Sequence, residues 1–437
     1  MNRPRPVAVV VYPYSTGARL ALALASHGWG AIAVVPADPA RYSMPPGVPG
    51  RGWASVITDH GDPADLAATL RLADAQAVVP GDESGVPAAE SLAQRLGLPG
   101  NDPATTAWRT HKAAMQQALR DTGLPHPMTA EARCADRASA AARVAGLPGR
   151  PVVIKPSWRS ASEEVTVCRA LRDVPGAWCR AAAAPDMTGR SSGAAVVQEY
   201  LRGPQWTVNT VTVTGPSGRR EHVVTDMWRE RVTETESGQI AWGESWLVPP
   251  QAAGEDGQQV AEYALDVLAA VGVEAGPAHV EIIFTAGGPR LVEVAARLAG
   301  CYPQDLTEQV TGQSQLSGTA AAIADPEGFA TRALRPVLDG VAVAQAWLVA
   351  PADSWLDAAV LGQVFCLATL RSSDPRLAAG GQVRRTRDTA SSPGWLNLCG
   401  TAAAVEADIR RLREDLEPRL YRWLREDPEP RLYRRAG

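Results

Sequence analysis

Lysine is nearly missing from this chain: of its 43 basic residues only Lys112 and Lys155 are lysine, and the rest are arginine. A lysine offers a compact point charge on a flexible stem, suited to a phosphate oxygen in a tight pocket, whereas arginine is a wide planar fork. Against so arginine-rich a background, the two surviving lysines are candidate phosphate ligands. Long apolar runs are also lacking, and none approaches the roughly 20 residues of a membrane span. The six cysteines (Cys134, Cys168, Cys179, Cys301, Cys366, Cys399) form no CxxC pair. They suggest neither zinc nor a disulfide framework and predict free thiols in a reducing cytoplasm. A net charge of −4 with 21% charged residues leaves no basic footprint for nucleic acid. No Ser-His-Asp or Cys-His signature supplies a side-chain nucleophile. The opening MNRPRPVAVVVYP runs into a strand-turn-helix pattern without a small-residue cleavage site, which argues against a signal peptide.

Both lysines sit in informative surroundings. Lys155 closes PVVIKP, residues 151–156, which reads as a short buried strand stopped by proline. Lys112 lies near the start of a helical segment marked by Ala113, Met115 and Leu119 and ending near Gly123 and Pro125. The positive end of a helix dipole favours anions there.

A hairpin is the second feature. AHVEIIF (278–284) and RLVEVA (290–295) alternate as strands around a turn centred on Gly287. Glu281 and Glu293 are equidistant from that centre and are expected to face each other, with Val280, Ile282, Val292 and Val294 on the buried face. Like charges directly opposite are destabilising. A divalent cation removes the repulsion, and Mg²⁺ is commonly held by one or two carboxylates plus substrate phosphates. Arg297 follows on the same face. His279 and His222 read as strand residues with local hydrogen bonds.

The 437 residues predict about three domains. Val7–Val11, a helix opening at Ser15, Thr16 and Gly17, and AIAVVP form a βαβ start; AVVPGDESG is a later strand whose loop carries Asp82 and Glu83. Loops at the carboxyl ends of parallel strands form the ligand crevice, which makes Glu83 a candidate for binding a substrate amine. The Ala-rich stretch 181–195 reads as a loop. Residues 412–423 and 424–435 form a tandem repeat of period twelve, expected to be an exposed or frayed tail.

From residue 7 to about 320 the chain resembles the ATP-grasp ligases, and within them the carboxylate–amine ligases that join amino acids. The resemblance is carried by VVPGDESGV, LAQRLGLPGN, the helix with Lys112, PVVIKP, QEYLRGPQWTV, HVVTDMWRE, and GPAHVEI followed by RLVEVAAR, in that order. It implies an α/β fold of α+β lobes: a Rossmann-like domain (1–110), a small lobe (111–200), a large lobe carrying the hairpin (201–330), and a C-terminal extension packed on the large lobe (331–437). It further implies that Lys112 and Lys155 touch nucleotide phosphates, that Gln198, Glu199, Tyr200 and Leu201 line the adenine pocket, and that Gln205 faces the ribose. Arg229 would reach phosphate or substrate, Glu281 and Glu293 would hold Mg²⁺ or Mn²⁺, and Arg297 would steady the reacting group. Arg231 and Trp242 stand in a loop expected to meet substrate.

Three departures accompany the resemblance. Ala295 stands where the family commonly has asparagine. The phosphate loop, 157–165, contains no glycine and carries Glu163 and Glu164. Gln205 replaces an acid. The implied activity is ATP-dependent amide formation between a small carboxylate and an amine through an acyl phosphate, in a cytoplasmic enzyme that is a candidate homodimer. A regulatory nucleotide-binding protein and a phosphotransferase are the alternatives.

Overall fold

The computed structural model describes residues 5–42, 47–48, 50–158, 162–185, 191–215, 217–235, 238–332, 338–377 and 381–423. The N-terminal part is a parallel sheet in the order Ser55–Asp59, Gly30–Pro36, Val7–Val11, Ala75–Pro80. Its β-branched strands are packed on both faces, as parallel sheets require, with Val9 and Val11 in one core and Ala8 and Val10 in another.

The small lobe is a four-stranded antiparallel sheet in the order Thr129–Ala132, Ala195–Glu199, Val152–Pro156, Thr166–Cys168, covered by helices Ala135–Ala145 and Val174–Ala183. The Ala-rich stretch expected to be a loop therefore begins as helix and ends as strand. Val152 and Ile154 point into the helix-covered core, so Lys155, next in the alternation, faces the opposite side.

The large sheet has eight antiparallel strands, ordered Gly288–Ala295, Gly276–Thr285, Gln205–Thr214, Arg220–Glu234, Ile240–Val248, Val341–Trp347, Trp395–Thr401, Leu370–Ser373. Helix Gly254–Ala270 lays Val260, Tyr263, Ala264, Val267 and Leu268 on one face of this sheet, a spacing that makes a continuous apolar stripe. At about 1.5–3 kcal/mol per large side chain buried, that stripe fixes the helix on Trp206, Met227 and Ile282 and leaves the other sheet face for the site.

Three strands of the C-terminal extension, expected to pack on the large lobe, continue the large lobe's own sheet. The first repeat copy is not a frayed tail. Leu412, Leu416 and Leu420 are fully buried, and Tyr421–Trp423 pairs with Ser354–Leu356. The second copy lies outside the described residues.

A buried clamp holds the N-terminal part to the large lobe. The Arg109 guanidinium donates to Glu90 through Nε (2.8 Å) and Nη2 (3.1 Å), and through Nη1 to the Val271 carbonyl (2.7 Å). Asn101 Oδ1 accepts from the amides of Glu274 (2.7 Å) and Ala275 (3.1 Å). These bonds tie the helix Val86–Leu96, which follows the Asp82–Glu83 loop, to residues 271–275, just before the hairpin strand Gly276–Thr285.

Candidate active site

The hairpin sets the register of the site. Glu281 pairs directly with Glu293, but by a route the sequence did not reveal. The turn is only Ala286 and Gly287, between Thr285 and Gly288, and a bulge at Val292 restores the pairing that the shorter turn would have displaced by one residue. Val280, Ile282 and Val294 are buried as expected, whereas Leu291 fills the place expected for Val292. The Val292 carbonyl accepts instead from Lys155 Nζ at 3.3 Å.

Lys112 is the first residue of helix Lys112–Asp121. His111, with extended backbone, caps that helix by accepting from the Ala114 amide. The Lys112 amide donates to the Ser157 carbonyl at 2.9 Å, and its Nζ pairs with Glu293 Oε2 at 3.0 Å. The two ammonium groups thus converge on one carboxylate pair from a helix start and a strand end. Burial, followed by the neighbouring Lys112, brings Lys155 down to about 8. Burial likewise pushes the Glu293 carboxyl up. Burial acts in the same direction on Glu281, but His279, Arg297 and Lys112 outweigh it and hold this carboxyl below its ordinary range. The site is therefore a cationic pocket around a carboxylate pair.

Around this centre Gln205 Nε2 donates to Glu281 Oε2 at 3.4 Å. Arg297 Nη2 pairs with Glu83 Oε2 at 3.1 Å, so Glu83 is already engaged by a cation. His279 enters the site: Nε2 is 3.3 Å from Glu281 Oε1, and Nδ1 is 2.9 Å from Asn209 Oδ1. Ala295 is its cross-strand partner. His222 stays local, 2.8 Å from Thr212 Oγ1. Gln198 donates its side chain to Thr129 Oγ1 at 2.8 Å, and Glu199 accepts from the Met128 amide at 3.1 Å. Tyr200 and Leu201 are half-buried at the end of the same strand.

Arg229 is a correction. It pairs in register with Trp206, on the sheet face covered by helix Gly254–Ala270, and its guanidinium lies 4.8 Å from the Trp206 ring. Glu281 and Thr207 occupy the other face, so Arg229 is walled off from the carboxylate pair. Arg231, two residues on, is exposed. Trp242 donates to Ser162 Oγ at 3.3 Å, a contact between the large sheet and the phosphate loop. Residues 159–161 of that loop lie outside the described residues. Glu164 pairs with Arg180 of the small-lobe helix at 3.4 Å.

A buried polar layer beside the site was not anticipated. Asp226 accepts from Asn209 (2.6 Å), Trp228 (2.7 Å), Thr225 (3.0 Å) and the Gln315 amide (3.1 Å). Glu230 accepts from Tyr302 (2.8 Å) and from the Ser245 hydroxyl, and burial pushes its carboxyl up to about 8. The signal was available: Thr207 and Asn209 in one strand, and Asp226, Trp228 and Glu230 in the next, recur at period two on the site face.

Residues 149–305 match the family model of the ATP-grasp domain. That stretch is an ATP-grasp domain. The chain is 26% identical over 369 residues, 84% of each chain, to dapdiamide A synthase of Enterobacter agglomerans. Its structure superposes on the L-amino acid ligase of Bacillus licheniformis with a TM-score of 0.71 at 16% identity, covering 95% of this chain and 98% of that one. The ADP complex of an N5-carboxyaminoimidazole ribonucleotide synthetase matches with a TM-score of 0.64 at 17% identity, covering 95% and 100%. These structural matches show a shared fold over nearly the whole chain. Among the described residues no helix is long and apolar enough to cross a membrane.

Proposed function

We propose that this protein is an ATP-dependent ligase that joins a small carboxylic acid, such as an amino acid, to an amine. The carrying observation is the convergence of Lys112, Lys155 and Arg297 on the paired carboxylates Glu281 and Glu293. Cations placed around a carboxylate pair suit a bound triphosphate, whose charge they neutralise as the γ-phosphoryl group transfers. The likeness to dapdiamide A synthase supports the same reading.

Among the described residues no group of three or more His, Cys, Asp or Glu side chains is disposed to hold a metal ion unaided. Two opposed carboxylates fit Mg²⁺ that is also held by nucleotide phosphates. Glu281 and Glu293 would be its protein ligands, and the ion would supply charge neutralisation at the phosphates. Lys112 and Lys155 bind phosphate oxygens, and Arg297 orients the attacking carboxylate. A carboxylate oxygen of the acid substrate bonds to the γ-phosphorus and ADP leaves. The amine then attacks the acyl carbon, a proton is lost from nitrogen, and phosphate departs. Gln198 to Leu201 are the residues we assign to the adenine side.

Oxygen labelling tests this order of events. An acid substrate bearing ¹⁸O in its carboxylate should deliver one labelled oxygen into the released phosphate. Label retained wholly in the acid, with none in phosphate, would exclude an acyl phosphate and favour a nucleotide binder or phosphotransfer to another acceptor.

A further inference from the structure

His111, immediately before Lys112, does more than cap a helix. Its backbone is extended (φ −119°, ψ 114°), and its Nδ1 accepts from the Ala114 amide at 3.2 Å. A backbone amide can only donate, so Nδ1 presents its lone pair there and the proton of the neutral ring sits on Nε2. That nitrogen lies 3.0 Å from Glu131 Oε1, in strand Thr129–Ala132. The same carboxylate oxygen accepts from the Ser157 hydroxyl at 3.0 Å. Ser157 is fully buried and opens the phosphate loop, and Trp158, next to it, meets the His111 ring edge-on with 4.5 Å between centroids.

One imidazole therefore joins three segments: the helix start that carries Lys112, the strand of Glu131, and the root of the phosphate loop. The backbone closes the circuit, since the Lys112 amide donates to the Ser157 carbonyl at 2.9 Å. Only the neutral ring can make this joint. A second proton would sit on Nδ1, aimed at the Ala114 N–H, and the cap would be lost. The added charge would also lie against the positive end of the helix. The charged groups that face the ring are Glu131 from its strand, Lys112 from the helix, and Arg133, which stands 3.6 Å from Glu131 Oε2. Burial outweighs Glu131 and holds the imidazole below its ordinary range, so the neutral ring is the form present near neutral pH.

We propose that neutral His111 is a positioning residue for the phosphate site, joining the Lys112 helix to the root of the phosphate loop, and that its protonation loosens both and weakens Mg·ATP binding. This rests on the reading above that Lys112 and this loop face nucleotide phosphates. His111 needs no contact with the nucleotide: the cap fixes the first turn from which the Lys112 ammonium reaches Glu293, and Glu131 and Trp158 fix where the loop begins. Acidification then releases both ends of the phosphate cradle together.

The test measures the Kd for Mg·ATP by calorimetry on the full chain, between about pH 5 and about pH 7.5, in wild type, His111→Asn and His111→Ala. Asparagine also caps helices and does not titrate. Across this range wild type should lose about tenfold more affinity than His111→Asn, the size expected when a cap is lost. The other titrating groups of the site act alike in both proteins and drop out of the comparison. At about pH 7.5 His111→Asn should bind several-fold more tightly than His111→Ala, a rescue that follows from the cap. Glu131→Gln keeps the ring and removes the charge that favours its protonation, so the loss of affinity on acidification should move to lower pH. That variant also serves if the His111 variants fail to fold. Parallel pH profiles in wild type and His111→Asn, the absence of rescue, or an acid-side loss unmoved in Glu131→Gln would each overturn the proposal while leaving the nucleotide reading intact. A wild type that binds no Mg·ATP at about pH 7.5 would overturn the nucleotide reading, and this proposal with it.

Discussion

Lys155→Met should stabilise the empty protein while removing its capacity to hold ATP. Lys155 is 4% exposed, and its ammonium pKa falls from 10.5 to about 8, mainly through burial. At about 1.4 kcal/mol per pH unit, keeping the charge inside the empty fold costs about 3 kcal/mol near neutral pH. Methionine fills similar volume without charge, and losing the bond to the Val292 carbonyl returns about 1 kcal/mol of that gain. The net stabilisation is about 2 kcal/mol. A base whose folded pKa is depressed carries its full penalty below the folded value, and the penalty fades as pH rises from about 8 toward 10.5. The advantage of Lys155→Met over wild type should therefore shrink by about 2 kcal/mol between about pH 7 and about pH 9.5. Urea unfolding of both proteins at the two pH values, with and without Mg·ATP, measures this directly. Lys155→Arg should also bind ATP poorly, because the guanidinium needs more room. A Met variant less stable than wild type near neutral pH, or an advantage independent of pH, would show that the buried ammonium carries no such penalty.

Glu293→Gln should change the stability of the empty protein by less than about 1 kcal/mol, since relief of a buried charge offsets a weakened contact to Lys112. Its thermal upshift with Mg·ATP should shrink sharply, because ligand stabilisation follows affinity; a thermal-shift titration reads both quantities. Glu230 holds its proton up to about pH 8 against an ordinary value of 4.5, so its contribution to stability is lost as pH rises through that window. Glu230→Gln, which resembles the protonated form, should flatten the decline in a pH series of unfolding midpoints. Leu416→Ala should cost about 2–5 kcal/mol by denaturant unfolding, as a fully buried leucine does and an exposed tail residue does not.

The parts of the site legible in the sequence were those set by local pattern. Lys112 at a helix start, Lys155 at the end of a buried strand, and the opposed glutamates all follow from period and turn residues. Even there the register depended on the Val292 bulge, which no composition signal marks. Arg229 was misplaced because a motif gives residue order without saying which sheet face an arginine occupies, and a stacked partner such as Trp206 lies outside its own strand. The C-terminal strands were unreadable for a similar reason. Val341–Trp347 is mostly alanine and valine, and only its pairing with Ile240–Val248 shows that it extends the large sheet. The first repeat copy looked polar, yet its leucines at 412, 416 and 420 recur at one helical turn and bury one face.

Incubating the full chain with Mg·ATP and amino-acid pairs, while following ADP and phosphate release alongside product masses, decides whether the protein is a ligase. A ligase should release ADP and phosphate only when both partners are present, with a product equal in mass to the pair less one water. ATP turnover indifferent to the amine, or a stable phosphorylated acceptor in place of an amide, would contradict the ligase reading.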